Sequence, residues 1–249
     1  MPISIFERLE AVREKRGAVA VALLDPDKKN DNDLLKMVQL VNDSDFDVVF
    51  VGGSLISDNE FESRIKAISE NTDLPVIIFP GSSNQLSKHA DGVLFLSLIS
   101  GRNPQYLIGE HVKSAPVIQN LGLEVIPTAY ILLDGGVRSS VEVISNTSPI
   151  PMNKKDIILA HALAGEYLGN KVIFLEAGSG AKQHAACDII RFLFHRLNIP
   201  IVVGGGVNTH DAAHKLVLAG AGYIVTSTQI ENIPKREPLQ AFTNAIHKQ

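Results

Sequence analysis

Eight short runs rich in Val, Ile, Leu and Phe recur along the chain, each closed by a Gly, Pro, Ser or Asp cluster: Val19 to Leu24, Val48 to Val51, Val76 to Phe79, Val93 to Leu96, Glu124 to Leu132, Val172 to Leu175, Ile201 to Val203 and Tyr223 to Thr226. Apolar runs of this length mark strands buried on both faces, as in a parallel sheet covered by helices. Most intervals between them place apolar residues at helical spacing: Leu34, Leu35, Val38 and Val41; Phe61, Ile65 and Ile68; Tyr106, Leu107, His111 and Val112; Ile157 to Leu168; Ile189 to Leu197; and Ala212 to Ala219. Strand, loop and helix repeated eight times leave two architectures, a doubly wound sheet and a closed barrel. The strand count, the even spacing and a length of 249 residues favour an α/β (β/α)8 TIM barrel, with residues 1–249 as one domain.

Two intervals break the repeat. The stretch from Pro80 to Gly92 is too short and polar for a crossover helix, so the third helix is expected to be missing or reduced to a turn. Asp134 to Asp156 is long, with Gly135-Gly136, several serines, Pro149 and Pro151, and reads as a lid or a disordered connection.

With 45% hydrophobic and 20% charged residues the chain can bury a sizeable core, which excludes disorder over most of its length. A net charge of -4, without a Lys/Arg run longer than two, offers no footprint for nucleic acid. Cys187 is the only cysteine, so there is no disulfide framework and no Cys-rich zinc site, and a reducing cytoplasm is the expected compartment. Ile5, Leu9 and Val12, with Glu7, Arg8 and Glu10 between them, form an amphipathic helix rather than a signal peptide. No apolar run approaches the roughly 18 residues of a spanning helix, so any lipid would be met by transient contact with a membrane surface.

In such a barrel the chemistry belongs to the polar residues just after each strand. Asp25-Pro26-Asp27-Lys28 follows the first run; an Asx-turn or helix cap explains the pair of carboxylates, but Asp25 abuts the strand and would point into the barrel mouth. Gly52-Gly53-Ser54 follows the second. Carboxylate and hydroxyl from adjacent strand ends suit a hard cation such as Mg²⁺, although a helix N-cap explains Ser54 equally well. After the sixth run, Glu176 is a lone carboxylate at an apolar strand end, where burial would raise its pKa and suit it to general-base work. Gly204-Gly205-Gly206 with Asn208, and Thr226-Ser227-Thr228, read as a two-part cup of amides and hydroxyls for a phosphate monoester. His210 and His214 read as a solvated face, His111 and His161 as packing or hydrogen-bonding residues, and Cys187 lacks a base partner.

Leu24-Asp25-Pro26-Asp27-Lys28, Val51-Gly52-Gly53-Ser54, Phe79-Pro80-Gly81, Phe174 to Gly180 and Val203 to Gly206 together resemble the geranylgeranylglyceryl phosphate synthase family, from the first strand to the eighth. The resemblance implies a Mg²⁺-dependent prenyltransferase that joins the 3-hydroxyl of sn-glycerol 1-phosphate to a polyprenyl diphosphate, making an ether-lipid precursor in phospholipid biosynthesis. It implies Asp25 and Ser54 as metal ligands and Glu176 as the base. The glycerol phosphate would be bound by Phe174, Leu175, Glu176, Ala177, Gly178, Ser179, Gly180, Gly205, Gly206, Ser227 and Thr228. A reduced third helix is also a family feature, and a homo-oligomer, dimer or hexamer, is implied. Three positions depart from the pattern: Phe174 stands where the family usually has Tyr, Ser227-Thr228 where it has Gly-Asn, and Leu23-Leu24 where the related bacterial heptaprenylglyceryl phosphate synthases carry a Lys. The prenyl tail would follow a groove between the barrel and the helix from Pro104 to Val117, where Ser114 and Ile118 leave room for a C20 chain. The rival functions are the same transfer with another chain length, a phosphate-binding isomerase or aldolase, and a non-catalytic phosphate-ligand binder.

Overall fold

The structure, a computed structural model, describes residues 3–232 and 235–247. Strands form where the apolar runs lie: β1 (Val19–Leu24), β2 (Val48–Val51), β3 (Val76–Ile78), β4 (Gly92–Leu98), β5 (Glu124–Leu132), β6 (Val172–Glu176), β7 (Ile201–Gly204) and β8 (Tyr223–Thr226). They pair in parallel in chain order and β8 closes on β1, Val19 opposite Tyr223, which decides for the barrel over the doubly wound sheet. Around them, among the described residues, run α1 (Ile5–Arg16), α2 (Leu34–Asn42), α3 (Phe61–Ser69), α4 (Gly109–Leu121), α5 (Ser140–Ser145), α6 (Lys155–Tyr167), α7 (Cys187–Phe194), α8 (His210–Ala219), α9 (Thr228–Asn232) and α10 (Arg236–Ile246). No helix lies between β3 and β4, as the polar stretch there predicts. Among the described residues no helix is long and apolar enough to cross a membrane.

Strand side chains alternate between two cores. Val19, Val21, Phe50, Leu132, Phe174, Val202 and Val225 fill the barrel interior, while Ala20, Ala22, Val49, Leu175 and Val203 face the helices and pack with Ile65, Ile158, Leu193 and Leu216. The period of two then fixes what reaches the mouth, because Asp25 continues the inward parity of Val19 and Val21, and Glu176 that of Val172 and Phe174. At the other end Leu9 of α1 packs into the interior core, and the Glu124 carboxylate accepts from the first amides of α1, Ile5 N at 2.5 Å and Phe6 N at 2.9 Å. These charge-assisted bonds satisfy amides that have no partner within the helix.

Two sequence expectations change. The helix expected from Pro104 is split: Asn103 caps a single 3₁₀ turn, Pro104–Tyr106, and α4 begins only at Gly109, because Ile108 at φ -150° interrupts the helical backbone. The long connection after β5 is folded rather than disordered. Leu133 bridges Ile150 in parallel, Asp134 N donates to Ile150 O, and α5 is carried on the loop so formed.

Candidate active site

A cleft of about 680 Å³ opens at the C-terminal ends of the strands, the size and place expected of a small-molecule site in such a barrel. Glu176 forms one side of it. It is the last residue of β6, opposite Leu132 of β5 and Gly204 of β7, and is only 7% exposed. Its Oε1 accepts from Gly178 N at 2.7 Å. Burial pushes the carboxyl up to about 7, against the opposing pull of that amide. A group that titrates there is poised to take and return a proton at neutral pH.

The β7 loop presses on this carboxylate. A side chain on Gly204 would place its Cβ 2.6 Å from Glu176 Oε2, and one on Gly205 would collide with Oε1. Gly205 and Gly206 also adopt φ of 77° and 73°, a backbone that side chains disfavour. The loop therefore meets the cavity as bare backbone. Ser227 and Thr228 line the cavity from the β8 end, and the Gln229 side chain donates to Asn208 O, tying the two loops together. Thr226 Oγ1 is buried without a protein partner.

Of the residues expected to bind glycerol phosphate, Glu176, Ser179, Gly180, Gly205, Gly206, Ser227 and Thr228 line the cavity. Four do not. Leu175 faces the helix layer, Ala177 is buried, Gly178 contributes its amide to Glu176, and Phe174 is completely buried in the barrel interior. The strand period puts Leu175 on the wrong face. Phe174 faces inward but stacks at 5.2 Å on Phe79 and at 5.4 Å on Tyr130, its register partner on β5.

Opposite Glu176, the loops after β1 and β2 bring Asp25 and Ser54 to the same cavity. The two carboxylates after β1 divide their work: Asp27 caps the turn Lys28–Asn30 through Lys29 N, whereas Asp25 Oδ2 meets Lys29 Nζ at 3.1 Å. Asp25 Oδ1 is buried without a hydrogen-bond partner, and the missing side chain of Gly53 leaves it room, since a Cβ there would lie 2.6 Å away. Burial raises the Asp25 pKa, and the Lys29 ammonium opposes this. Ser54 caps no helix, because α3 starts at Phe61. A buried, unpaired carboxylate oxygen and a hydroxyl lining the same cavity form a donor set that fits Mg²⁺, which takes few protein ligands and completes its shell with water and phosphate oxygens. No group of three His, Cys, Asp or Glu that could hold a metal occurs among the described residues.

Sequence reasoning missed two supports of this end. Gln85 accepts from Gly81 N at 3.0 Å and donates to Gly53 O at 2.9 Å, clasping the loops after β2 and β3. Arg64 of α3 is chelated by Asp31 and Asp58 and donates to Pro26 O at 3.1 Å, holding the β1 loop. Gln85 has no sequence signal, being one polar residue among many in its loop. Arg64 is a charge at an otherwise buried position of an amphipathic helix, which is a weak one.

A groove leaves the cavity between β4 and α4, lined by Leu86, Val93, Phe95, His111, Ser114 and Ile118. His111, Ser114 and Ile118 fall on one face of α4 by helical spacing. His111 bonds Ser97 Oγ at 3.1 Å and meets the Phe95 ring edge-on, and burial lowers its pKa, as suits a wall residue of the groove. Ser139, Val141, Val143 and Ile144, on and before α5, form the opposite rim.

A model of the family described as the PcrB family matches residues 10–246. The chain belongs to the PcrB family. Geranylgeranylglyceryl phosphate synthase from Chitinophaga pinensis is 42% identical to it, over 94% of this chain and 93% of that protein. The protein of the same name from Flavobacterium johnsoniae is 43% identical over 90% of this chain and 92% of that one. The crystal structure of (S)-3-O-geranylgeranylglyceryl phosphate synthase from Thermoplasma acidophilum, in complex with sn-glycerol-1-phosphate, matches with a TM-score of 0.92 and 34% identity, covering 98% of each chain. The likeness read from the motifs thus extends along nearly the whole length, and this PcrB-family chain is an enzyme, a prenyltransferase.

Proposed function

We propose that the protein transfers the geranylgeranyl group of its diphosphate to the 3-hydroxyl of sn-glycerol 1-phosphate, with Mg²⁺ as cofactor, forming geranylgeranylglyceryl phosphate and diphosphate. The observation that carries this reading is the buried Glu176, a proton acceptor of pKa about 7 pressed against the glycine loop that would hold a phosphate. The shared identity with proteins named for this product supports it, as does the likeness to a structure that binds sn-glycerol-1-phosphate.

In this reading Gly205, Gly206, Ser227 and Thr228 bind the phosphate, with Ser179 and Gly180 beside them, and so turn the 3-hydroxyl toward Glu176. Asp25 and Ser54 hold Mg²⁺, which when bound offsets the charge of the departing diphosphate. The bond from C1 of the allylic chain to diphosphate oxygen breaks, its electron pair leaving with diphosphate. The glycerol oxygen bonds to C1, and its proton passes to Glu176. Holding both reactants in one orientation supplies rate and stereospecificity together. The prenyl tail lies in the groove past Ser114 and Ile118, whose small and aliphatic side chains suit a C20 chain. Leu55, Val143 and Ile144 are exposed apolar residues at the rim, which supports transient contact with a membrane surface for a lipid product. A cytoplasmic homo-oligomer belongs to the same reading.

The test is incubation of the purified protein with sn-glycerol 1-phosphate, Mg²⁺ and radiolabelled farnesyl, geranylgeranyl or heptaprenyl diphosphate. Ether product is expected with the geranylgeranyl donor, dependent on Mg²⁺ and lost in Glu176→Gln and Asp25→Asn. Absence of product with every donor would overturn the proposal.

A further inference from the structure

Lys29 has no part in the reaction as described, yet its ammonium lies 3.1 Å from Asp25 Oδ2, and its side chain both lines the cleft and is 58% exposed. It is delivered there by local structure. Asp27 caps the 3₁₀ turn that follows β1, and Asn30 Nδ2 donates to Asp25 O at 2.8 Å, so the turn folds back and sets residue 29 against residue 25. Among the described residues the cleft's other lining Lys or Arg is Arg138, on the far rim and paired with Glu142 at 3.6 Å. Glu231 also lines the cleft.

Resting on the metal site proposed above, we infer that Lys29 is a stand-in cation. It neutralises the Asp25 carboxylate through Oδ2 until a divalent ion arrives at the unpaired Oδ1 and takes over that charge, and then turns its released ammonium to the diphosphate of the prenyl donor. Three features point this way. Asp25 is half-buried, so leaving it without a counter-charge would be unfavourable, and a lysine four residues on supplies one. The Lys29 stem is long, flexible and open to solvent, so its ammonium can change partners without moving the backbone. A diphosphate drawn to a metal at Asp25 arrives within reach of the same side chain, where a charge-assisted bond replaces the lost ion pair. Lys29 is thus a counter-charge to Asp25 before the metal binds and a contact for the donor after it.

Titration with Mn²⁺ alone, followed by the loss of the free-ion electron paramagnetic resonance signal, tests the first half without any turnover. Lys29→Met is expected to bind Mn²⁺ about three- to fivefold more tightly than the unaltered protein, because the competing cation is gone. Lys28→Met removes the same charge from the neighbouring position and is expected to shift affinity much less, while Lys29→Arg should restore the weaker binding. For the second half, Lys29→Met should raise KM for prenyl diphosphate about tenfold and leave KM for sn-glycerol 1-phosphate unchanged. Unaltered or weaker Mn²⁺ binding in Lys29→Met, or an unchanged KM for the donor, would overturn the inference. Failure of the underlying metal site looks different: Mn²⁺ binding would then survive Asp25→Asn, and the inference would fall with it.

Discussion

A carboxylate is well solvated in water and poorly solvated in a barrel mouth, and the raised pKa of Glu176 comes from that difference. The folded protein holds its proton more tightly than the unfolded chain, raising the ordinary value of 4.5 to about 7. The linked stability is therefore fully present below pH 4.5 and is lost as pH rises through about 7, in an amount of about 3 kcal/mol. Glu176→Gln keeps an oxygen for Gly178 N but cannot ionise. Urea unfolding should show it close to the unaltered protein at pH 5 and more stable by about 3 kcal/mol at pH 8.5; equal differences at the two pH values would refute the burial argument. The same variant should lose about 10²- to 10⁴-fold in kcat. In the unaltered enzyme the acidic limb of kcat/KM should rise through about pH 7, where the free base forms. This residue was legible in the sequence because a lone Glu ending an apolar strand has few structural uses. Phe174 was assigned from likeness alone, and aromatic stacking with Phe79 and Tyr130, which no local pattern encodes, keeps it below the cleft.

Elements carry the site through contacts between loops. Arg64 joins α3 to the β1 loop through Asp31 and Pro26 O, and to the loop after β2 through Asp58, with its own side chain only 6% exposed. Arg64→Met would strand two partly exposed carboxylates and free the β1 loop. A loss of about 2–3 kcal/mol in urea unfolding is expected, with weaker Mn²⁺ binding, and Lys at this position should not rescue it because a point charge cannot chelate both carboxylates. The groove is the second element-scale device. Ser114 is buried on the face of α4 turned to the groove, so Ser114→Phe would set a ring across the proposed path of the tail. Competition between donors should shift toward farnesyl diphosphate, with KM for sn-glycerol 1-phosphate unchanged; an unaltered donor preference would place the tail elsewhere. The strands were readable because burial on both faces makes each one a continuous apolar run, and the missing helix because a short polar interval cannot make a crossover. The clasps by Arg64 and Gln85 were not, since each joins segments about thirty residues apart in sequence through single side chains.

At the scale of the whole molecule the barrel separates its duties: the open end holds the candidate chemistry, and the closed end ties the chain together. Arg16 ends α1, Asp45 and Asp47 lead into β2, and His247 follows α10. These four residues, from three segments far apart in sequence, meet in one cluster in which Asp47 and His247 are buried and Arg16 and Asp45 reach the surface, invisible to any reading of local pattern. Asp47 Oδ2 accepts from Ala20 N at 2.7 Å and pairs with His247 Nε2 at 2.8 Å, its Oδ1 takes Arg16 Nη1 at 2.9 Å, and Asp45 pairs with the other guanidinium nitrogen of Arg16. One turn earlier in α10, Thr243 Oγ1 donates to Ser44 O at 2.7 Å. The last helix is thereby fastened to the lead-in of β2 by two side chains, and through Asp47 to the start of β1. His247→Ala removes one of the two fastenings and leaves a 4%-exposed carboxylate with fewer donors. It should cost about 2 kcal/mol, or about 4–8 °C in Tm for a chain of this size, while KM and kcat at the opposite end stay unchanged at temperatures where both proteins are folded. Because His247 and Glu176 share no partner, the stability effects of His247→Ala and Glu176→Gln should add in the double variant within about 0.5 kcal/mol. Marked non-additivity, or a change in kcat from His247→Ala alone, would mean that the two ends of the barrel are energetically coupled and that the closed end tunes the site as well as supporting it.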